Sequence, residues 1–279
     1  MIASLRAENL KAVKRVAYWV LFTILVGLVV LFGYVITYAV LKHPPARFQS
    51  PVPASVLIRE TFPENLLTNV LDSMTTVGAA IMIIVGGLSA ASEYGWLTVQ
   101  TILVQRPGRL AVLGGKLLNL ALMTVLFSAA VLAAAALASF IIIRIDGSSS
   151  AWPSLTMLVK GFGAIVLQLS VWTAFGMFLG IAFRSTAAAI GGGLVYFFVV
   201  EAVLARLFAN TDVVKEILKY LPGINAGGLN SAFPFTFHPP TESAPLVDAT
   251  HGIITLLVYL VAFTALAMVI FQRRDVTGG

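Results

Sequence analysis

The sequence predicts an all-α, polytopic membrane protein with six transmembrane helices, on three observations. The 279 residues are 59% hydrophobic and 11% charged, with mean hydropathy +0.95. A soluble domain carries about 25% charged residues, so a solvated surface cannot be built from this composition. Charge-free windows then fall at 16–41, 73–92, 117–143, 161–183, 185–200 and 249–272. A helix needs roughly 20 residues to cross about 30 Å of hydrocarbon. Finally, Lys and Arg gather at the ends of these windows rather than inside them. A cytosolic or secreted globular enzyme is excluded as the reading.

The elements follow in order. Residues 1–16 mix Leu5, Leu10 and Val13 with Arg6, Lys11 and Lys14, the pattern of an amphipathic helix lying at a membrane interface. Tyr18 and Trp19 supply an aromatic anchor. The first span, about 17–41, is too long for a signal-peptide core and is read as retained. Prolines 44, 45, 51, 53 and 63 break the loop beyond it, and Pro63 opens a short helix. The second span covers about 70–91. From 92 to 109 the spacing predicts a surface helix, with Ser92 as N-cap, Glu93 in the first turn and Pro107-Gly108 as its stop.

The third span, about 110–142, is alanine-rich from Ala129 to Ala138, which favours close helix packing. The fourth, about 157–182, turns tightly at Arg184 into the fifth, about 186–208. Ala187–Ala189 and Gly191–Gly193 on the fifth again suggest close contact, with local bending as the competing account. Residues 210–249 form an outer segment. Its apolar positions 213, 214, 217, 218 and 221 repeat with helical period, and Pro222-Gly223 ends that helix ahead of an aromatic, proline-rich loop. The sixth span runs about 250–271. The whole chain, 1–279, reads as one transmembrane domain.

Six spans place both termini on one side. With cytoplasmic termini the inner segments hold ten Lys and Arg against three acids, and the outer segments eight against nine. Lys11, Lys14 and Arg15 before the first span, with Arg273 and Arg274 after the last, give the bias that sets orientation. Positive-inside anchoring and contact with membrane lipids account for the basic excess, so no nucleic-acid partner is expected.

Catalytic chemistry is sparse. No phosphate loop is present, Cys is absent, and His43, His238 and His251 lack metal-ligand spacing, so neither enzyme activity nor a cofactor or metal is expected in this chain. Glu201 is the one acid inside a span, which makes it a candidate for a translocation pathway or an ion pair with Arg206. Gln168, Ser170 and Thr173 on span four and Tyr196 on span five are the other pathway candidates; the bland reading of each is a helix–helix hydrogen bond.

Glu93-Tyr94-Gly95-Trp96-Leu97-Thr98, then Ile102 through Arg109 and Lys116, resembles the cytoplasmic signature of permease subunits in the ABC-2 family of ATP-driven transporters. The outer helix ending at Leu221-Pro222 and the closing Phe271-Gln272-Arg273-Arg274-Asp275-Val276 are similar to that family too. The family's Gly-Thr step is loosened here by Trp96-Leu97, and the stretch from Thr98 to Arg109 looks closest to the antibiotic and small-molecule exporter subgroup. The resemblance implies a six-helix, type V exporter-like permease fold in the inner (plasma) membrane of a prokaryote. It implies a second permease copy, identical or a close paralogue, and two cytoplasmic ATPase subunits that bind ATP and Mg. Glu93, Gly95, Trp96, Leu97, Gln100, Arg106 and Arg109 would couple the permease to the ATPase. The rival readings are an ion-coupled secondary transporter or channel centred near Glu201, and a non-transport membrane subunit or intramembrane enzyme.

Overall fold

The computed structural model describes residues 2–45, 50, 52–95, 108–201, 203–204, 212–233, 235 and 245–273. Those residues form a multi-pass, all-helical membrane protein with no strand among them. α1 is Ile2–Lys14. Five helices are long and apolar enough to cross a membrane: α2 (Val16–Lys42), α3 (Pro63–Tyr94), α4 (Leu110–Asp146), α5 (Leu155–Phe183) and α9 (Ala249–Arg273). Between the last two lie the apolar α6 (Thr186–Glu201), then α7 (Asp212–Leu218) and α8 (Pro222–Asn230).

The sequence placed six full spans; the described chain has five, and α6 is a shorter apolar helix. Residues 205–211, which carry the rest of the predicted fifth span and Arg206, lie outside the described residues. The second span begins earlier than predicted. Phe62 is extended, Pro63 takes the first helical position, and helical backbone then runs unbroken past Ser92. The third span continues to Asp146, where Gly147 closes it in the left-handed conformation that a residue with a side chain rarely adopts. α5 begins on Ser154, whose hydroxyl accepts from Met157 N–H, and α6 on Ser185, which accepts from Ala188 N–H.

α3 and α5 form the centre, with 67% and 78% of their most apolar windows buried, against 22%, 33% and 11% for α2, α4 and α9. They meet where side chains are smallest. A Cβ on Gly86 would fall 2.1 Å from the Thr173 carbonyl oxygen, and one on Gly176 2.2 Å from that of Ile83. The outer helices pack on this pair and leave Phe32, Leu126, Leu137, Val258 and Val261 exposed, as hydrocarbon-facing positions should be.

Close packing was expected from the alanines of α4 and the glycines of α6. On α4, Ala135 and Ala138 are buried, whereas Ala129 and Ala133 face outward. On α6 a Cβ at Gly193 would strike Ile83, but Gly191 has nothing within 4 Å.

The connections define two faces. α1, the end of α3, the start of α4 and the Arg184 turn lie together, with the Arg184 guanidinium 5.7 Å from the Tyr94 ring. On the far face Lys42 pairs with Asp146, and Arg59 with Glu64 at 2.8 Å. Three π-helical turns, Leu31–Ile36, Met74–Gly78 and Tyr196–Glu201, sit in the halves of α2, α3 and α6 nearer this far face.

Candidate functional sites at the two ends of the bundle

On the α1 face four charged side chains join elements far apart in sequence. Lys116, 5% exposed near the start of α4, donates to Glu8 Oε2 at 3.1 Å, Glu93 Oε1 at 3.1 Å and the Ser89 carbonyl at 2.8 Å. Its three donors are thereby used. Lys11 Nζ lies 2.7 Å from both Glu8 Oε1 and Glu93 Oε1. Two lysines and two carboxylates make a neutral cluster, which is what lets Glu8 and Glu93 stay buried. Partial burial pushes the Lys11 pKa down, but the hydrogen bonds and charges of Glu8 and Glu93 outweigh it and hold it above the ordinary 10.5. Lys11 therefore stays charged throughout the physiological range. Around the cluster, Arg15 donates to Ser92 Oγ at 2.8 Å, and Asn119 to Asn9 Oδ1 at 2.5 Å.

This arrangement corrects the reading of Ser92 and Glu93 as the opening of a surface helix. Both belong to the last turn of α3. Ser92 donates to the Leu88 carbonyl at 2.6 Å, and Glu93 finds its positive charge in Lys11 and Lys116 rather than in a helix N-terminus. Nothing in Leu88–Tyr94 breaks a helix, and the two lysines offset a carboxylate at the unfavourable end of the helix dipole. Gly95 ends the described part of this stretch, and helical backbone resumes at Arg109, immediately ahead of α4. Trp96, Leu97, Gln100 and Arg106 lie outside the described residues. Glu8 is the residue that the sequence reading passes over, whereas Lys116 is named there only as part of the 93–116 signature.

On the far face the predicted loop after Pro222 is instead α8, with Pro222 at its first position, where a missing N–H costs nothing. Its residues Asn225, Ala226, Gly228, Leu229 and Asn230 are buried. Asn225 donates to the Lys219 and Leu221 carbonyls, both at 2.8 Å, and its Oδ1 lies 3.0 Å from His251 Nδ1 on α9. Thr68 on α3 donates to the Phe233 carbonyl at 2.7 Å. α8 is thus inserted among α3, α5, α6 and α9, and its polar backbone is shielded by protein.

Two pathway candidates reach α8. Gln168, fully buried on α5, donates to Asn230 Oδ1 at 2.6 Å, and Asn230 donates in turn to Asp72 Oδ1 at 2.8 Å and Thr75 Oγ1 at 3.1 Å on α3. Glu201, 7% exposed, accepts from Gly223 N–H at 2.8 Å, so its carboxylate caps the α8 N-terminus. Tyr196 brings its hydroxyl to the same carboxylate. One helical turn from Gln168 is Trp172, whose ring meets Phe197 of α6 at 5.0 Å, and Phe197 stands one turn before Glu201. Gln168, Trp172 and Glu201 therefore line one layer. Gln168 Oε1, Trp172 Nε1 and Glu201 Oε1, two acceptors and one donor, are all buried without a hydrogen-bond partner among the described residues.

The other two candidates do not join it. Thr173 bonds the Leu169 carbonyl at 2.6 Å and lies 3.4 Å from Thr124 Oγ1, a contact between α5 and α4. Ser170 is half-buried and turns about 200° away from Gln168 on the helix. Asn230→Ala is expected to cost about 1–3 kcal/mol, because the buried Gln168 amide loses its short acceptor; thermal unfolding of the purified protein reads the loss, while Gln168→Ala should lose less on top of it.

Among the described residues no group of His, Cys, Asp and Glu is arranged to hold a metal ion. A family model with the description "Protein of unknown function (DUF2705)" matches residues 28–277. No curated protein matches the chain.

Proposed function

The chain belongs to the DUF2705 family of proteins of unknown function, and from the geometry of its α1 face and the resemblance of residues 93–116 we propose that it is the membrane-spanning permease subunit of an ATP-driven exporter. One observation carries the reading. Glu93 and Lys116, at the two ends of the connection between α3 and α4, are locked to each other and to α1 in a single ion cluster. A force applied to that connection reaches the central helix α3, the neighbouring α4 and the interfacial α1 together. Resemblance of residues 93–116 to ABC-2 permeases supplies the source of the force, a cytoplasmic ATPase seated against Trp96, Leu97, Gln100, Arg106 and Arg109. On this reading the α1 face is cytoplasmic, two copies of the chain form the pathway, and ATP and Mg are held by two partner ATPases.

The α8 layer supports a pathway. Three buried polar atoms without partners each cost free energy in hydrocarbon, and that cost is recovered when a polar group of a cargo passes between α5, α6 and α8. Cargo of this kind is small or amphipathic, with both donor and acceptor groups. Glu201 in the same layer also favours the rival reading of an ion-coupled carrier.

Purification with the ATPase encoded nearest to this chain separates the two. Cargo-stimulated ATP hydrolysis is expected to fall at least tenfold in Arg106→Glu/Arg109→Glu, with the complex still folded. Full-rate transport by this chain alone in vesicles, indifferent to the ATPase, overturns the proposal and leaves the carrier.

A further inference from the structure

Beside the α1–α2 elbow the structure forms a half-open groove of about 450 Å³, within the roughly 300–1,000 Å³ range of small-ligand sites. Val13 of α1, Trp19 and Phe22 of α2, and Leu126, Phe127 and Ala130 of α4 line it. The elbow is pinned by Trp19 Nε1–H donating to the Val13 carbonyl at 2.8 Å, and Phe22 meets Phe127 edge to face at 5.1 Å. The polar part of its lining is the hydrogen-bonded Asn9–Asn119 pair, next to Glu8 and one turn from Lys116 of the ion cluster.

Basic residues lie along α1: Arg6 is seven residues before Val13, two turns away on the same face, and Lys14 follows Val13, turned about 100° from it. Both are exposed, while Glu8 is spent on Lys11 and Lys116. The groove therefore joins hydrocarbon walls at the depth of the first two turns of α2 to an amide pair, with exposed Arg6 one turn before Asn9 on α1. Trp19, half-exposed at the boundary, sits where indole rings settle between headgroups and chains.

We propose that this groove is a binding site for one acidic phospholipid of the leaflet on the α1 face. An acyl chain lies between α2 and α4, and the phosphate faces the Arg6 end of the groove, with Lys14 adding to the positive charge of α1. The walls exclude a fully polar ligand, and the positive charge of α1 selects an anionic headgroup over a zwitterionic one. The occupied site wedges α1 against α4 beside Lys116, so the lipid steadies the cluster that fixes α1 to α3. The inference does not depend on the transporter reading, since any function of the chain would leave this groove in the membrane.

The test is native mass spectrometry of the full chain, released from vesicles of equal phosphatidylglycerol and phosphatidylcholine. One phosphatidylglycerol retained per chain is expected. Arg6→Gln/Lys14→Gln should lower the preference for that lipid roughly thirty-fold, the worth of two basic side chains near an anionic surface, while a lipid chain is still retained. Ala130→Trp fills the deep end and should abolish retention; Ala12→Trp does the same from the rim and serves if the first variant does not fold. Equal retention of the two lipids by the native chain overturns the proposal, as does undiminished retention in the filled variants. Displacement of the lipid by detergent alone at equal chain length, with no headgroup dependence, overturns it too.

Discussion

Lys116→Met is expected to destabilise the α1 face by about 3–5 kcal/mol, because it strands Glu8 and Glu93 as buried carboxylates. The Lys116 side chain is 6% exposed and each of its three donors has a partner, so water cannot replace it without opening the interface. The remaining cluster has two acids and one base, and the least costly response is for α1 to leave α4. Lys11 is the contrast. Its side chain is 42% exposed, so solvent screens its pairs, and Lys11→Met should cost no more than about 1 kcal/mol although its contacts, at 2.7 Å, are the shorter ones. Glu8→Gln/Glu93→Gln/Lys116→Met removes both carboxylates and the buried cation, leaves only the half-exposed Lys11 charged, and should recover much of the loss. The chain has no Cys, so a single cysteine placed on α1 reports its release by labelling rate alongside the unfolding temperature. Equal behaviour of the Lys116 and Lys11 variants would falsify the shared-cation account.

The cluster shows what the sequence could and could not disclose. Windows between charges gave the membrane class and located all five long helices, because hydrocarbon imposes a length that charge positions reveal directly. Glu93 and Lys116 were visible as charges close to span ends. Their meeting was not, because Glu8 and Lys116 are 108 positions apart and Glu8 beside Lys11 looks like an ordinary surface pair at helical spacing. At the far face Gln168 and Glu201 announced themselves as polar groups inside apolar stretches. Asn230 did not, since a polar residue beyond a proline and two glycines reads as loop. Pro222 fits the end of one helix and the first position of the next equally well, and only the burial of α8 decides between them.

Gly176→Leu should have the larger effect on the fold, since the α3–α5 contact is made by backbone. A Cβ at Gly176 would lie 2.2 Å from the Ile83 oxygen and 2.9 Å from its carbonyl carbon, and one at Gly86 2.1 Å from the Thr173 oxygen and 2.8 Å from Met177 N. Backbone atoms in two packed helices have no rotamer to escape into, so the helices must separate. Gly180, one turn on, repeats the contact: a Cβ there would be 2.8 Å from Ala90 Cβ and 3.1 Å from the Gly87 oxygen. Gly176 and Gly180 thus form a small-xxx-small stripe facing Ile83, Gly87 and Ala90, the arrangement that brings membrane helices to their closest approach. Even Gly176→Ala and Gly86→Ala should reach the top of the roughly 1–3 kcal/mol overpacking range, and Gly176→Leu should prevent recovery of folded protein. The double alanine variant should cost less than the sum, because one separation relieves both clashes. Gly191→Ala supplies the opposite sign: nothing lies within 4 Å of the new methyl, and a helix interior gains roughly 0.5–1 kcal/mol when Gly becomes Ala. Thermal unfolding of the three alanine variants in one detergent measures the contrast. A destabilised Gly191→Ala beside an unaffected Gly176→Ala would mean that the central contact lies at α6, as the glycine run in the sequence had suggested.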